Sequence, residues 1–570
     1  MHSKLSYFHR GGESPLLGHT IPDYFAEIAA RFPDREAVVS IPQDRRLNYA
    51  ELSEQIDELA RGLIGLGFGK GSRVGIWSTN NLEWLILQMA TARIGAILVN
   101  INPAYRLHEL DYVLQNSQLQ CLFTMPAFKS SDYVGMLAQL LPALETDTAD
   151  RFNPTKLPVL RRIVIYDPTH PMQTERPGSG FTTWQEVIEI GQDVEDLELI
   201  TAALDRDDPI NIQYTSGTTG FPKPVLLSHH NILNNAWFSA QAMHFSERDR
   251  LCIPVPFYHC FGMVLANLLC LSVGAAAVIA CEHFDAGQVL SAIEQERCTA
   301  VHGVPTMFIA MLEHPDFGHF RLDSLRTGIM AGAPCPPSLM QRVMHDMHCP
   351  EILIGYGETE ASPITHLTSR DDSLERRTKT VGKNLPHQEV KIIDIAGEQT
   401  VPLEQIGEVC FRGYHIMLGY ANDSKATAEA INANGWLHSG DLGSMDADGY
   451  VRITGRLKEM IIRGGENIYP REIEDFIFTH PKVAAVAVFG IPDEFYGEEV
   501  VAWIRLHADT ECSANEIREF CRDKLAHFKI PKLIEFVESF PMTVTGKLQK
   551  FRMREMTVEK QKNSAPRKPA

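Results

Sequence analysis

No two cysteines in this chain are spaced Cys-x-x-Cys, although eleven occur among its 570 residues. An odd number without paired spacing fits neither a zinc ribbon nor a disulfide framework, so a reducing, cytoplasmic setting is the simplest expectation. Surplus positive charge is missing too: 53 basic residues against 72 acidic ones leave a net charge of −19. That balance argues against nucleic acid or an anionic membrane as principal partner. Phosphate ligands remain compatible with it, because a nearby lysine or a ring of backbone amides outweighs distant charge. The opening MHSKLSYFHRGGESPLLG lacks the continuous apolar core of a secretory signal and is poor in arginine, so neither export nor a mitochondrial address is expected.

Charge is also absent from Phe261 to Cys281, a stretch of 21 residues. Its length raises a membrane span. Asn267, Ser272 and Gly274 interrupt it, and the reading here is a buried helix from about Met263 to Leu271, a turn at Gly274 and a buried strand Ala275 to Ala280. No transmembrane segment is expected; peripheral membrane contact and a homodimer stay open.

At 570 residues the chain is too long for one core, and 44% apolar with 22% charged residues describes an ordinary globular composition. Apolar runs such as Arg73 to Trp77, Ile163 to Tyr166, Leu251 to Pro254 and Ile352 to Ile354 alternate with amphipathic helices such as Leu82 to Arg93, Gln288 to Glu296 and Pro337 to Met347. Alternation of this kind implies βαβ units and doubly wound sheets. After Glu389 the rhythm becomes strand-rich. The fold class expected is α/β: a large domain over 1–455 with a barrel-like subdomain, a hinge at 456–458, a small mobile α+β domain over 459–556 and a disordered tail over 557–570.

The most informative segment is Tyr214 to Val225, YTSGTTGFPKPV. Thr215, Ser216, Thr218 and Thr219 offer hydroxyls, Gly217 and Gly220 let backbone N–H groups approach an anion, and Lys223 adds charge, so the loop suits phosphate oxygens. A Walker loop would need a glycine before the lysine, Ser or Thr after it, and a helix. Here Pro222 and Pro224 flank Lys223, and two prolines oppose a helix start at that point. Downstream, Tyr356-Gly357-Glu358-Thr359-Glu360 follows a strand, where open α/β sheets bind ligands. Met330-Ala331-Gly332-Ala333-Pro334, the run Gly435 to Asp441, the segment Gly455 to Glu459, Gly464-Gly465 and Thr545-Gly546-Lys547 complete the series.

In this order the motifs resemble the adenylate-forming superfamily of acyl-CoA synthetases, luciferases and peptide-synthetase adenylation domains, over about Asn48 to Lys550. The resemblance implies ATP, Mg²⁺ and coenzyme A as ligands. It implies that the loop from Thr215 through Ser216, Gly217, Thr218, Thr219, Gly220, Phe221 and Pro222 to Lys223 binds ATP phosphates. It further implies that Gly332, Ala333 and Pro334 frame adenine, that Tyr356 beside Gly357 stacks on it, that Thr359 contacts the α-phosphate and that Glu360 holds Mg²⁺. Asp441 and Arg456 would be ribose-directed, Lys458 the hinge, Gly465 the passage for pantetheine, and Lys547 the catalytic lysine. Carboxylate attack on a phosphate brings two anions together, which explains why a preorganised cation is wanted. The spacing Pro541-x-x-x-x-Gly546-Lys547 also resembles a site acetylated in bacterial relatives.

Substrate choice rests on the expected acyl pocket: Phe257, His259, Phe261, Val304, Met307, Gly328, Met330, Ala331 and Gly355. These are apolar or small apart from His259, which would border the carboxylate end. Without a fixed second charge, amino acids and dicarboxylates are disfavoured. Phrases such as GVPTMF and RGGENIYPREIE look closest to medium-chain fatty acyl-CoA ligases, and Gly328 and Gly355 are read as room for methylenes. An acyl-AMP ligase loading a separate carrier protein, or a ligase for an aryl or short substituted acid, is the alternative.

Overall fold

The computed structural model describes residues 4–215, 222–395, 399–493, 495–522, 524–542 and 548–564. Contacts divide the chain into two compact units that interleave distant segments: His9–Glu389 with Phe411–Leu437, and Met1–Phe8 with Val390–Cys410 and His438–Ala570.

Besides the short pair Ala127–Phe128 and Ser131–Asp132, the larger unit holds two large sheets. One runs Thr182–Thr183, Arg162–Ile165, Cys121–Thr124, Arg73–Trp77, Ile97–Ile101, Pro209–Thr215, Lys223–Ser228 and Gly419–Tyr420 in spatial order. It is parallel as far as Pro209–Thr215 and antiparallel over its last two strands. The other has a parallel centre of Ala276–Ile279, Arg250–Ile253, Ala300–Val301, Thr327–Met330 and Glu351–Gly357, after which Ile364–Leu367 returns antiparallel. Strands this apolar are what sheets covered on both faces need. The expected α/β, doubly wound class is the one observed.

Helix Leu82–Arg93 has its sequence-read bounds, is capped by Asn81 accepting from the Trp84 N–H at 2.9 Å, and buries every side chain from Leu82 to Ala92. The charge-free stretch resolves into a buried helical run, widened to π-helical turns over Met263–Leu268, then Gly274 at φ +80°, then strand Ala276–Ile279. Its polar Asn267 donates to Gln88 Oε1 at 3.1 Å and Gln88 Nε2 donates to the Met263 carbonyl at 3.3 Å, while the buried Asn267 Oδ1 accepts no hydrogen bond among the described residues. Among the described residues no helix is long and apolar enough to cross a membrane.

Strands Leu437–Met445 and Val451–Arg456 form an antiparallel hairpin, in the smaller unit from His438 on, and belong to a five-stranded sheet. Beyond it, Gly497–Leu506 pairs antiparallel with Val483–Asp493 and parallel with Leu533–Phe536. The period-2 alternation of that strand serves two cores. Val500, Ala502 and Ile504 join Ile473 and Ile477 of helix Pro470–Ile477 and Ile517 of helix Ala514–Cys521, whereas Val501 and Trp503 join Phe540 and Met553. Of the tail expected to be disordered over 557–570, residues 557–564 continue helix Lys550–Ser564, and 565–570 lie outside the described residues. Thr557 is buried and accepts from Trp503 Nε1 at 3.1 Å, and Val558 packs on the same cluster. So few inward residues among so many charges hide the helix from pattern reading.

Candidate active site

Thr215 ends one strand and Lys223 begins the next, and the two are Cα partners across the antiparallel pair, so the strand predicted ahead of the loop is in place. Ser216, Gly217, Thr218, Thr219, Gly220 and Phe221 lie outside the described residues. The Pro222 carbonyl accepts from Tyr112 Oη at 3.4 Å, which anchors the returning chain. Lys223 opens a strand rather than a helix, as its flanking prolines require.

Tyr356 and Gly357 close strand Glu351–Gly357, and Thr359 and Glu360 form the turn Thr359–Ala361 just past it. The Tyr356 ring lies 6.0 Å from His366 and 6.2 Å from Phe411, centroid to centroid. Gly357 meets the Pro363 backbone so closely that an added Cβ would collide with its carbonyl. Thr359 is buried, its hydroxyl 3.5 Å from Cys260 Sγ. Glu360 Oε1 accepts from the Tyr420 hydroxyl at 2.9 Å, and Lys223 Nζ stands 4.7 Å from the Tyr420 ring centroid. Burial and then the Glu360 carboxylate push the Tyr420 hydroxyl far above its ordinary pKa, so it stays a donor. Tyr420 escaped sequence reasoning because it lies 60 residues from Glu360 and belongs to no phosphate motif.

Gly332 takes φ +82°, while the Ala331 N–H donates to the Gly303 carbonyl at 3.2 Å; Ala333 is half-buried and Pro334 exposed. His259 Nδ1 accepts from the Phe261 N–H at 3.2 Å and so caps the turn after it. Of the expected acyl wall, Val304 and Met307 retain 9% exposure and Phe261 and Ala331 retain 6%. Phe257 and Met330 are wholly buried, the Phe257 ring 5.4 Å from Trp84. The two glycines need correction. Gly328 gives no room for methylenes, since a Cβ there would strike the Val301 carbonyl. At Gly355 the space is filled by Ile329 Cγ2, 2.8 Å from where a Cβ would stand. Both glycines are small because neighbouring strands and side chains occupy the place.

His302, also unanticipated, accepts from the Ile329 N–H at Nδ1 and donates from Nε2 to the Leu265 carbonyl. Burial lowers its pKa to about 4, which leaves it neutral and structural.

In the smaller unit Asp441 and Arg456 are Cα partners in the hairpin, joined by an ion pair of 3.1 Å from Arg456 Nε to Asp441 Oδ1. Asp441 is held further by its N–H donating to Ser439 Oγ at 3.0 Å, and the preceding Gly440 N–H donates to Glu408 Oε1 at 3.0 Å. Lys458 is exposed in the turn Leu457–Glu459. Gly464 and Gly465 form a two-residue hairpin turn with φ +60° and +87°, the positive pair that glycine favours. Nothing stands within 4 Å of a Cβ built on Gly465. Lys547 lies outside the described residues.

Comparison with known proteins follows the same lines. The AMP-binding enzyme family matches residues 25–421, and the AMP-binding enzyme C-terminal domain matches residues 472–547. YngI of Bacillus subtilis strain 168, named an acyl-CoA synthetase, is 46% identical over 546 residues, covering 95% of this chain and 98% of its own. The mitochondrial medium-chain acyl-CoA ligase ACSF2 of Danio rerio is 42% identical over 560 residues, covering 98% and 91%. Among solved structures, the anthranilate CoA ligase AuaEII in complex with anthranoyl-AMP superposes with a TM-score of 0.81 at 26% identity, covering 95% of this chain and 98% of the other. A Mycobacterium tuberculosis fatty acyl CoA synthetase gives 0.70 at 28% identity, covering 95% and 99%.

Proposed function

Since the chain belongs to the AMP-binding enzyme family, as an AMP-forming acid–thiol ligase, we propose that it joins a medium-chain fatty acid to coenzyme A through an acyl-adenylate, releasing AMP and pyrophosphate. One observation carries the reading: Lys223, Tyr420 and Glu360 form a continuous cation, phenol and carboxylate array beside the two footings of the hydroxyl-rich loop. The chain-length assignment is supported by the near full-length match to a medium-chain ligase.

In the first half-reaction a carboxylate oxygen attacks the α-phosphorus of ATP and pyrophosphate leaves. Lys223 and the loop from Thr215 neutralise the triphosphate, and Thr359 meets the α-phosphate. Tyr356 stacks on adenine within the Gly332 to Pro334 frame, while Asp441 accepts from ribose hydroxyls beside Arg456. Lys547 supplies the cation that lets two anions meet. Thr359 and Glu360 are hard oxygen donors in one turn and fit Mg²⁺, with Glu360 as the holding carboxylate and neutralisation of phosphate charge as the ion's contribution. His259 borders the carboxylate end of the acid, and Val304, Met307 and Ala331 line its tail. In the second half-reaction the CoA thiolate attacks the acyl carbonyl, the carbonyl–oxygen bond to AMP breaks, and AMP leaves. Gly465 admits the pantetheine, and a turn about Lys458 exchanges Lys547 for Gly465. The eleven cysteines show no paired spacing, which suits the cytoplasmic setting proposed here.

The test is purified protein with ATP, Mg²⁺ and CoA against straight-chain acids of about four to eighteen carbons plus benzoate, with AMP and thioester scored by mass spectrometry. Thioester should peak at medium chain length. Adenylate accumulating without thioester would reject CoA as acceptor, and a maximum on benzoate would reject the fatty acid.

A further inference from the structure

Glu360 is fixed at both ends by one short segment of the same unit. Its main-chain carbonyl accepts from the Met417 N–H at 2.9 Å, and its carboxylate accepts from the Tyr420 hydroxyl at 2.9 Å. The same segment is stitched to the strand that returns from the phosphate loop. Leu418 N–H donates to the Leu226 carbonyl at 2.9 Å, Ala421 N–H donates to the Pro224 carbonyl at 2.8 Å, and Val225 is the Cα partner of Tyr420. Tyr420 itself is only 9% exposed, and its N–H donates to Thr427 Oγ1 at 2.9 Å. Gly419 must be glycine there, since a Cβ would stand 2.8 Å from Thr427 Cγ2 at φ +143°. The phenol is therefore a rigid strut with two working ends: the hydroxyl orients a carboxylate, and the ring face receives the Lys223 ammonium.

From this arrangement we propose that Tyr420 is a positioning residue for adenylation, coupling the aim of the Glu360 carboxylate to the placement of Lys223. The inference rests on the reading of Glu360 as the residue that holds the divalent cation. A carboxylate has about four lone-pair sites. Tyr420 occupies one of them on Oε1 and so selects the rotamer in which the rest meet a cation. A hard, small ion that tolerates little distortion makes that selection count. The ring acts separately, through the quadrupole that attracts the lysine. Removal of the hydroxyl alone should affect the cation, and removal of the ring should affect the triphosphate as well.

Mn²⁺ as a paramagnetic probe separates these effects. Mn²⁺ binding is followed by electron paramagnetic resonance with the full-length protein and a non-hydrolysable ATP analogue, alongside steady-state pyrophosphate release at varied Mg²⁺. Tyr420→Phe should weaken Mn²⁺ binding about tenfold, the scale of one hydrogen bond to a charged group. Saturating Mg²⁺ should restore most of its kcat, with the KM for ATP unchanged. Tyr420→Ala should add a several-fold rise in that KM, and Glu360→Gln should weaken Mn²⁺ by more than Tyr420→Phe does. If Tyr420→Phe binds Mn²⁺ as tightly as the parent while Glu360→Gln does not, the strut role is wrong and the reading of Glu360 stands. If Glu360→Gln leaves Mn²⁺ binding intact, the reading of Glu360 fails and the inference with it. Thermal unfolding of Tyr420→Phe within a degree of the parent assigns any loss to positioning; a large drop with no change in metal dependence would overturn the proposal in favour of packing.

Discussion

The two units hold their candidate residues in opposite ways. In the larger one, Gly357 ends a strand, Thr359 and Glu360 follow it, and each is fitted against backbone or buried side chains. In the smaller one, Arg456 keeps 54% of its side chain exposed, Lys458 is exposed, and Gly465 sits at a hairpin tip with open space where a side chain would be. The difference teaches that substitutions in the first set entangle stability with chemistry through packing, whereas in the second they meet open space, with backbone strain at Gly465 the one structural cost to separate.

Lys547→Ala gives the largest expected effect. Pyrophosphate release should fall about 10²–10³-fold, the scale for losing one preorganised charge-stabilising donor, with the melting temperature unchanged. Normal adenylation by an acetyl-mimicking Lys547→Gln would refute both that role and regulation by acetylation. Gly465→Leu should come next, sparing acyl-adenylate formation while thioester formation drops about 10²-fold through misplaced thiol. Gly465→Asn tolerates the positive φ yet adds a side chain, so it separates obstruction from strain. Equal loss of both half-reactions in the two variants would sink the assignment.

Gly357→Ala breaks the comparison from the other side. Its Cβ meets the Pro363 carbonyl, so unfolding measurements should show a loss of about 1–3 kcal/mol together with reduced nucleotide affinity. Retained stability would mean the strand end is looser than described. The smallest effect concerns pH. Burial holds His229 and His302 at about 4 and His366 and His415 at about 3, below the 6.5 of an exposed imidazole. Between pH 6.5 and 4 the unfolded chain gains protons that the fold refuses, so stability falls as pH falls through that window. Calorimetry should show it, and His302→Gln should remove about 1–2 kcal/mol of the loss at pH 5, one pKa unit being about 1.4 kcal/mol.

Strand and helix positions in the parallel sheets were legible because burial on both faces leaves long apolar runs, and helix Leu82–Arg93 was read to the residue. The interleaving of units was not legible, since the bridge between Leu5 and Pro402 joins positions that no local pattern relates. Gly328 and Gly355 misled for a physical reason. A missing side chain reads equally as space or as close contact, and here Val301 and Ile329 take the space. Tyr420 went unseen because its partner is distant in sequence and its own segment carries no phosphate-binding chemistry.

The central claim is that a carboxylate oxygen attacks the α-phosphorus. The most direct measurement is turnover of a medium-chain acid labelled with ¹⁸O in its carboxylate, with CoA, ATP and Mg²⁺, followed by mass spectrometry of the products. One ¹⁸O should appear in AMP for each thioester formed. Label in orthophosphate, with ADP as the nucleotide product, would contradict an acyl-adenylate and require an acyl-phosphate route.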